Sequence, residues 1–113
     1  KKAINFIKQK VSNPKFFVWS NYTDNLDEFF SSKDFTIIKN YQKLEKGRKQ
    51  MLDLFLMSQC KHFIVIPSSF NWWGAYLSKN KDKIIIRPDD NNFKDFKTNN
   101  LDFWPSDWII INK

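Results

Sequence analysis

The order of hydrophobic and polar residues predicts helices that alternate with short strands. Apolar side chains recur at helical spacing over residues 3–11, with lysines on the opposite face, and Asn13-Pro14 ends this helix. Short apolar runs bounded by polar residues then predict buried strands. These runs are residues 16–19, 35–38, 63–66 and 83–86. Residues 108–111 fit either a last short strand or a packed tail.

Three further helical patterns lie between the strands. Leu26, Phe29 and Phe30 give a short helix an apolar face. Residues 49–59 are apolar on most sides, which predicts a largely buried helix, and a third helix is expected over residues 70–78. This alternation predicts an α/β fold with a Rossmann-like parallel sheet of about four strands and helices on both faces. We expect the first strand to lie between the second and the third.

Residues 64–77 carry the most informative pattern, a strand followed by a hydroxyl-rich turn and a helix. Pro67 ends the strand, and Ser68 or Ser69 can cap the helix. Such a helix directs unpaired N–H groups outward at the carboxyl edge of the sheet, where α/β proteins bind ligands. The corner therefore suits a phosphate, although an ordinary capped helix that binds nothing has the same pattern. Gly74 lowers helix propensity, so we expect a close backbone contact there.

Composition and charge narrow the class of protein. With 113 residues, 42% of them hydrophobic and only two glycines, the chain is expected to form one folded domain. No apolar run approaches the roughly 20 residues of a membrane span, and no signal-peptide pattern is visible. The formal charge of +7 attracts anions such as a phosphorylated donor, a nucleic acid or an anionic membrane, although scattered lysines also fit an ordinary solvated surface. A single cysteine, Cys60, fits a reducing compartment and a packed side chain.

Several side chains are candidates for chemistry, and each has a structural alternative. Asp53 interrupts an apolar run, and its carboxylate could accept two adjacent N–H groups of guanine or simply occupy an exposed helix position. His62 precedes the third strand and Arg87 follows the fourth, so either could meet a ligand or be structural. Trp72 and Trp73 are expected to pack, with sugar stacking as the alternative. No metal site is expected, because one histidine and one cysteine do not make a zinc site.

Three blocks of the sequence resemble glycosyltransferase family 11, the α-1,2-fucosyltransferases. Residues 68–77, SSFNWWGAYL, resemble the family signature SSFSWWGAWL, and residues 53–62 resemble its segment that ends in LMSxCKH. Residues 102–108, DFWPSDW, resemble its closing D-x-aromatic-P-x-x-W. The blocks stand in the family's order, and the likeness covers nearly the whole chain. The chain departs from the pattern at Ser20-Asn21-Tyr22, where Ser-Asp-Asp is frequent, and it lacks the H-x-R-R-G-D motif and the glycine-rich opening.

The resemblance implies the donor-binding, carboxyl-terminal half of an inverting GT-B enzyme, with residues 1–113 as one GDP-sugar-binding domain. The enzyme would transfer L-fucose from GDP-fucose to the 2-position of galactose in a glycan, without a metal cofactor. Asp53 would contact guanine, while Ser68, Ser69 and the backbone N–H of Phe70 would hold the diphosphate. Because the cations that stabilise the leaving diphosphate are largely in the missing motif, we expect this chain alone to bind GDP weakly and transfer nothing.

The resemblance also sets the expected partners and location. The partners would be the amino-terminal half of the same enzyme, GDP-fucose and a galactose-containing acceptor, with no nucleic acid. The location would be the cytoplasm, at the inner membrane face through the full-length protein. Two alternatives remain open: a non-catalytic nucleotide or nucleic-acid binding module, which the charge and the 18% of aromatic residues allow, and a domain that only packs against a partner.

Overall fold

The computed structural model describes residues 1–20, 26–38, 46–66, 69–89 and 104–111 of the chain. The described residues form an α/β structure, as predicted, with helices and strands alternating from α1 to β4. In chain order the elements are α1 (Lys2–Lys10), β1 (Phe16–Val18), α2 (Leu26–Phe29), β2 (Phe35–Ile37), α3 (Lys46–Ser58), β3 (Phe63–Ile64), α4 (Ser69–Leu77), β4 (Ile85–Arg87) and β5 (Ile109–Ile110). None of the described helices combines the length and the apolar character needed to cross a bilayer.

All the strand pairs in the described residues are parallel, but they form two small sheets. β1 pairs with β2, and β3, β4 and β5 pair in that order. The expected pairing of the first two strands is therefore confirmed, whereas the expected place of β1 beside β3 and a continuous four-stranded sheet are not seen among the described residues. The last apolar segment is a strand rather than a packed tail, and it lies against β4 with Ile86 opposite Ile109.

Aromatic side chains hold the first sheet together. Phe16 and Phe35 are opposite each other in β1 and β2, and their rings stack with centroids 5.0 Å apart. Phe30, at the end of α2, packs on Phe35 at 5.1 Å. Ile7 of α1 is buried. After that helix, Asn13 adopts the left-handed conformation with φ 50°, which asparagine tolerates better than most residues.

The second sheet contains the larger core, which lies between its strands, α4 and the carboxyl-terminal tryptophans. Trp108 packs on Trp104 at 5.8 Å and on Trp72 of α4 at 5.7 Å. The buried cluster consists of Val65, Ala75, Ile85, Trp104 and Trp108, with Phe63 and Trp72 packed against it. This core places the beginning of α4 next to the carboxyl ends of β3 and β4.

Helix α3 is less buried than its composition predicts. Met57 is 6% exposed, whereas Met51 is 74% and Phe55 59% exposed. Met57 contacts α4, and Met51 and Phe55 lie on other sides of the helix, because successive residues are separated by about 100°. The prediction of a largely buried helix is therefore wrong for the described side chains, since α4 covers only one side of α3.

Helices α3 and α4 run in the same direction and touch closely. A Cβ placed on Gly74 would lie 2.9 Å from the Cβ of Met57, which confirms the predicted close approach. Beyond the end of both helices, Ser78 Oγ donates a hydrogen bond to the carbonyl of Cys60 at 2.8 Å. The two contacts advance along both helices in the same sense, so the first turn of α4 lies beside the middle of α3.

Candidate functional site

The predicted strand and helix are both present on the two sides of the corner between β3 and α4, and Pro67 between them lies outside the described residues. β3 leads through Val65 and Ile66 to α4, whose first residue is Ser69. The side chain of Ser69 is exposed and that of Phe70 is half-buried. Ser68 lies outside the described residues. The first backbone N–H groups of α4 have no partner within the helix, so this end of the sheet offers donors and a positive helix dipole.

Asp53 lies beside this corner. It precedes Met57 by one helical turn, so both side chains are on the face of α3 that meets α4. Because the helices are parallel and Met57 meets Gly74, Asp53 is level with Phe70 in the first turn of α4. Asp53 is half-buried rather than exposed, and its Oδ1 atom is buried without a hydrogen-bond donor among the described residues. A buried oxygen of this kind costs roughly 1–3 kcal/mol until a donor reaches it.

Arg87 lies at the same edge of the sheet as the start of α4. It is the last residue of β4 rather than a residue that follows the strand, which corrects the sequence prediction. Its guanidinium carbon is 5.3 Å from the centre of the Trp104 ring, and Nη1 donates to the carbonyl of Pro88 at 3.1 Å. Since β3 and β4 are parallel with Ile64 opposite Ile86, the carboxyl ends of both strands meet here.

An open cleft of about 410 Å³ lies at this edge. Its walls are mainly aliphatic, and its charged lining residues are all cationic. The lining consists of Lys1, Lys2, Ala3, Ile64, Val65, Ile86, Arg87, Pro88 and Ile111. Asp53, Ser69 and Phe70 do not line the cleft, so the cleft and the α4 corner are separate features of one sheet edge. An anion is the type of ligand that suits both.

His62 is at the opposite edge. It immediately precedes β3, and its Nδ1 atom accepts a hydrogen bond from the backbone N–H of Ile84 at 2.9 Å. Burial and, to a smaller extent, the charge of Lys61 lower the pKa of His62, which keeps the ring neutral and Nδ1 able to accept. His62 thus connects the start of β3 to the start of β4. It does not lie together with Ser69 or Arg87, which are at the other edge. This geometry favours the structural alternative for His62.

The two tryptophans of α4 differ in their surroundings. Trp72 stacks on Tyr76, with ring centroids 4.9 Å apart, and packs on Trp108 in the core. Trp73 touches the edge of Trp72 at 4.9 Å but is 48% exposed. The predicted packing role is therefore confirmed for Trp72, and Trp73 is left largely at the surface.

Sequence analysis did not single out Lys83 or Trp19. In the structure, Lys83 makes several hydrogen bonds, whereas a buried nitrogen of Trp19 makes none among the described residues. Lys83 Nζ donates to the carbonyls of Ala75, Tyr76 and Ser78 at 3.0 to 3.1 Å, and so caps the end of α4. Trp19 follows β1 directly, and its buried Nε1 has no acceptor among the described residues. Only the position of Trp19 at a strand end was visible in the sequence, whereas the Lys83 cap depends on the fold of the loop before it.

Metal-ligating and thiol side chains are the remaining candidates for chemistry in the described part of the chain. No group of three or more histidine, cysteine, aspartate or glutamate side chains comes together there. Burial raises the pKa of the Cys60 thiol, and its sulfur lies 3.7 Å from the carbonyl of Leu56. A protonated, partly buried thiol is a poor nucleophile, in agreement with the predicted packing role.

Comparison with known proteins gives a family match over nearly the whole chain. Residues 1–112 match the family described as glycosyl transferase family 11. The chain is 34% identical over 115 aligned residues to an alpha-1,2-colitosyltransferase of Escherichia coli, with 98% of this chain and 37% of the relative covered. It is 31% identical over 87 residues to the O-antigen biosynthesis glycosyltransferase WbnK of Escherichia coli, with 77% of this chain and 28% of that relative covered. The chain thus spans little more than a third, at most, of the curated relatives it matches. No solved structure gives a significant match.

Proposed function

The chain belongs to glycosyl transferase family 11, and on that premise we propose that it is the donor-binding part of an inverting α-1,2-fucosyltransferase of the GT-B type. The donor is GDP-fucose, and the acceptor is a galactose-containing glycan. The observation that carries the proposal is the buried Oδ1 of Asp53, which has no donor among the described residues and lies beside the first turn of α4. One corner of the fold thereby offers an acceptor for a nucleotide base and donors for its diphosphate.

Guanine fits the requirement of Asp53. The base presents N1–H and N2–H side by side, and one carboxylate can accept both in a charge-assisted pair. Adenine has no such pair of adjacent donors, so this contact selects the base. The hydrogen bonds would also satisfy the Oδ1 atom that has no donor among the described residues.

The diphosphate would bind at the amino end of α4. The exposed hydroxyl of Ser69, the hydroxyl of Ser68 and the backbone N–H of Phe70 are the proposed donors, and the helix dipole favours the negative charge. Arg87 supplies a cation at the same edge. When the bond from the anomeric carbon to the diphosphate breaks, negative charge accumulates on the leaving GDP, and these groups would stabilise it without a divalent metal.

This part of the enzyme is expected to bind the donor without completing the reaction. The acceptor site and the further cations would come from the missing amino-terminal half, in the cytoplasm at the inner face of the membrane. The name of one relative refers to colitose rather than fucose, so the sugar of the donor is a question separate from its base. The guanine contact through Asp53 does not depend on which sugar the nucleotide carries.

Titration with GDP and ADP tests the proposal directly, because the two differ only in the base. We expect GDP to bind more tightly than ADP, and Asp53→Asn to remove that preference by weakening GDP. Asp34→Asn is the matched control, since the partly exposed carboxylate of Asp34 forms an ion pair with Lys8 at 3.8 Å. Equal affinities for GDP and ADP in the parent protein would overturn the guanine assignment, and base-blind binding with a steep salt dependence would indicate a nucleic-acid module instead.

A further inference from the structure

The outer face of α4 is apolar and exposed. Trp73 is 48%, Tyr76 53% and Leu77 47% exposed, and these three side chains define the outer face. They lie on the side of α4 away from Ala75, which is fully buried in the core. Trp73 and Tyr76 contact each other edge to face at 5.8 Å, so they form a continuous aromatic surface.

Cationic side chains surround the carboxyl end of this face. Lys79 and Lys81 follow α4 directly and are exposed. Lys61 is also exposed, and its carbonyl accepts a hydrogen bond from Asn80 at 3.0 Å, which places it beside the same loop. Lys83 Nζ lies 6.0 Å from the centre of the Tyr76 ring.

The two segments that contain α3 and α4 carry a clear excess of positive charge. Residues 46–61 and 69–83 together contain seven lysines and arginines against two aspartates. Of these aspartates, Asp53 has a buried oxygen, and Asp82 is exposed. An exposed tryptophan and tyrosine beside a lysine cluster are typical of a surface that lies at the boundary of lipid headgroups and acyl chains. Lysines near an anionic bilayer add an electrostatic attraction of their own.

We propose that the outer face of α4 docks on an anionic lipid bilayer, with Trp73, Tyr76 and Leu77 in the headgroup boundary and Lys61, Lys79 and Lys81 against anionic headgroups. A second copy of the chain is a poorer occupant, because its own copy of this region is also positively charged and offers these lysines no anionic surface. The lysines lie at the carboxyl end of α4, whereas Ser69 begins the helix at the other end. The docked protein therefore keeps the nucleotide corner open to water.

Vesicle co-sedimentation tests the apolar part of this surface. The purified protein is mixed with vesicles of phosphatidylcholine alone, or of phosphatidylcholine and phosphatidylglycerol in equal amounts. We expect binding only to the anionic vesicles and a loss of at least about tenfold in the partition coefficient for the double variant Trp73→Ser/Tyr76→Ser. Phe29→Ser is the matched control, since Phe29 is 75% exposed on α2, which connects the two strands of the other sheet. Far-UV circular dichroism verifies that each variant is folded.

The electrostatic part is tested with lysine variants. Lys79→Gln/Lys81→Gln should weaken binding to anionic vesicles by roughly thirtyfold at low salt, because each lysine near such a surface contributes about fivefold. Lys15→Gln/Lys33→Gln changes two exposed lysines that precede β1 and β2, the strands of the other sheet, and should have much less effect. Equal loss in both double variants would overturn the proposal, as would equal binding to neutral vesicles.

Tryptophan fluorescence distinguishes lipid contact from self-association. Anionic vesicles should shift the emission to shorter wavelength in the parent protein, and Trp73→Phe should abolish the shift while the protein still sediments with the vesicles. A concentration-dependent dimer that Trp73→Ser/Tyr76→Ser disrupts, without vesicle binding by the parent, would overturn the proposal in favour of a second copy.

Discussion

Gly74 lies so close to Met57 that a Cβ at position 74 would be 2.9 Å from the Met57 Cβ. This contact holds α3 and α4 side by side and brings Asp53 level with the first turn of α4. The distance between these two positions therefore affects both the stability of the domain and the geometry of the candidate site.

Gly74→Ala should destabilise the protein although alanine is the better helix former. The added methyl group would meet Met57 Cβ, which cannot move away without its backbone, so α3 and α4 must separate. We expect a loss of about 1–3 kcal/mol in the free energy of unfolding, measured by urea denaturation. Met51→Ala, at a position 74% exposed on α3, should change it by less than about 0.5 kcal/mol. A Gly74→Ala protein as stable as the parent would show that the helices separate freely.

Asp53→Leu should stabilise the ligand-free protein and abolish its response to GDP. The substitution removes a buried oxygen without a donor among the described residues, which is worth about 1 kcal/mol or more. Urea denaturation with and without GDP measures both effects, because a ligand that binds the folded state raises its stability. Stabilisation of Asp53→Leu by GDP to the same extent as the parent would contradict the assigned contact.

The stability of the protein should fall in mildly acidic solution because of His62. Burial lowers the pKa of His62 in the folded state, so the unfolded chain, with a pKa near 6.5, takes up the proton first. The stabilisation is therefore complete above about pH 6.5 and is lost as the pH falls through the folded-state pKa. Thermal unfolding at pH 7.5 and 5.5 measures the difference.

His62→Asn is the control for this pH dependence. The asparagine side-chain carbonyl can accept the hydrogen bond from Ile84 but does not titrate. The variant should lose most of the change in melting temperature between the two pH values. An unchanged pH dependence would assign it to other groups.

Lys83→Met should destabilise the carboxyl end of α4. The substitution keeps most of the aliphatic stem and removes the ammonium group that donates to three carbonyls. Hydrogen bonds from a charged donor are worth about 1.5–3 kcal/mol, so we expect a loss in that range in the free energy of unfolding. Lys81→Met, at an exposed position of the same loop, should have an effect below about 0.5 kcal/mol.

Local sequence was sufficient for the order of helices and strands and for the corner at Ser69. Side-chain spacing reports which face of a segment is apolar, and Asn13-Pro14 lies just after the end of α1, because the effects of such residues act on the adjacent backbone. The family resemblance, now confirmed over residues 1–112, rested on short blocks that are likewise contiguous in the chain.

The tertiary structure determined which segment of the chain packs on each apolar face. Periodicity did not distinguish Met57, which α4 covers, from Phe55, which remains exposed, because both are apolar and only a neighbour from another segment separates them. The lateral pairing of strands into two sheets, the position of His62 away from Arg87, and the place of Asp53 beside α4 depend in the same way on contacts between residues far apart in the chain. Packing between such segments determines which of the candidate side chains share one edge of the sheet.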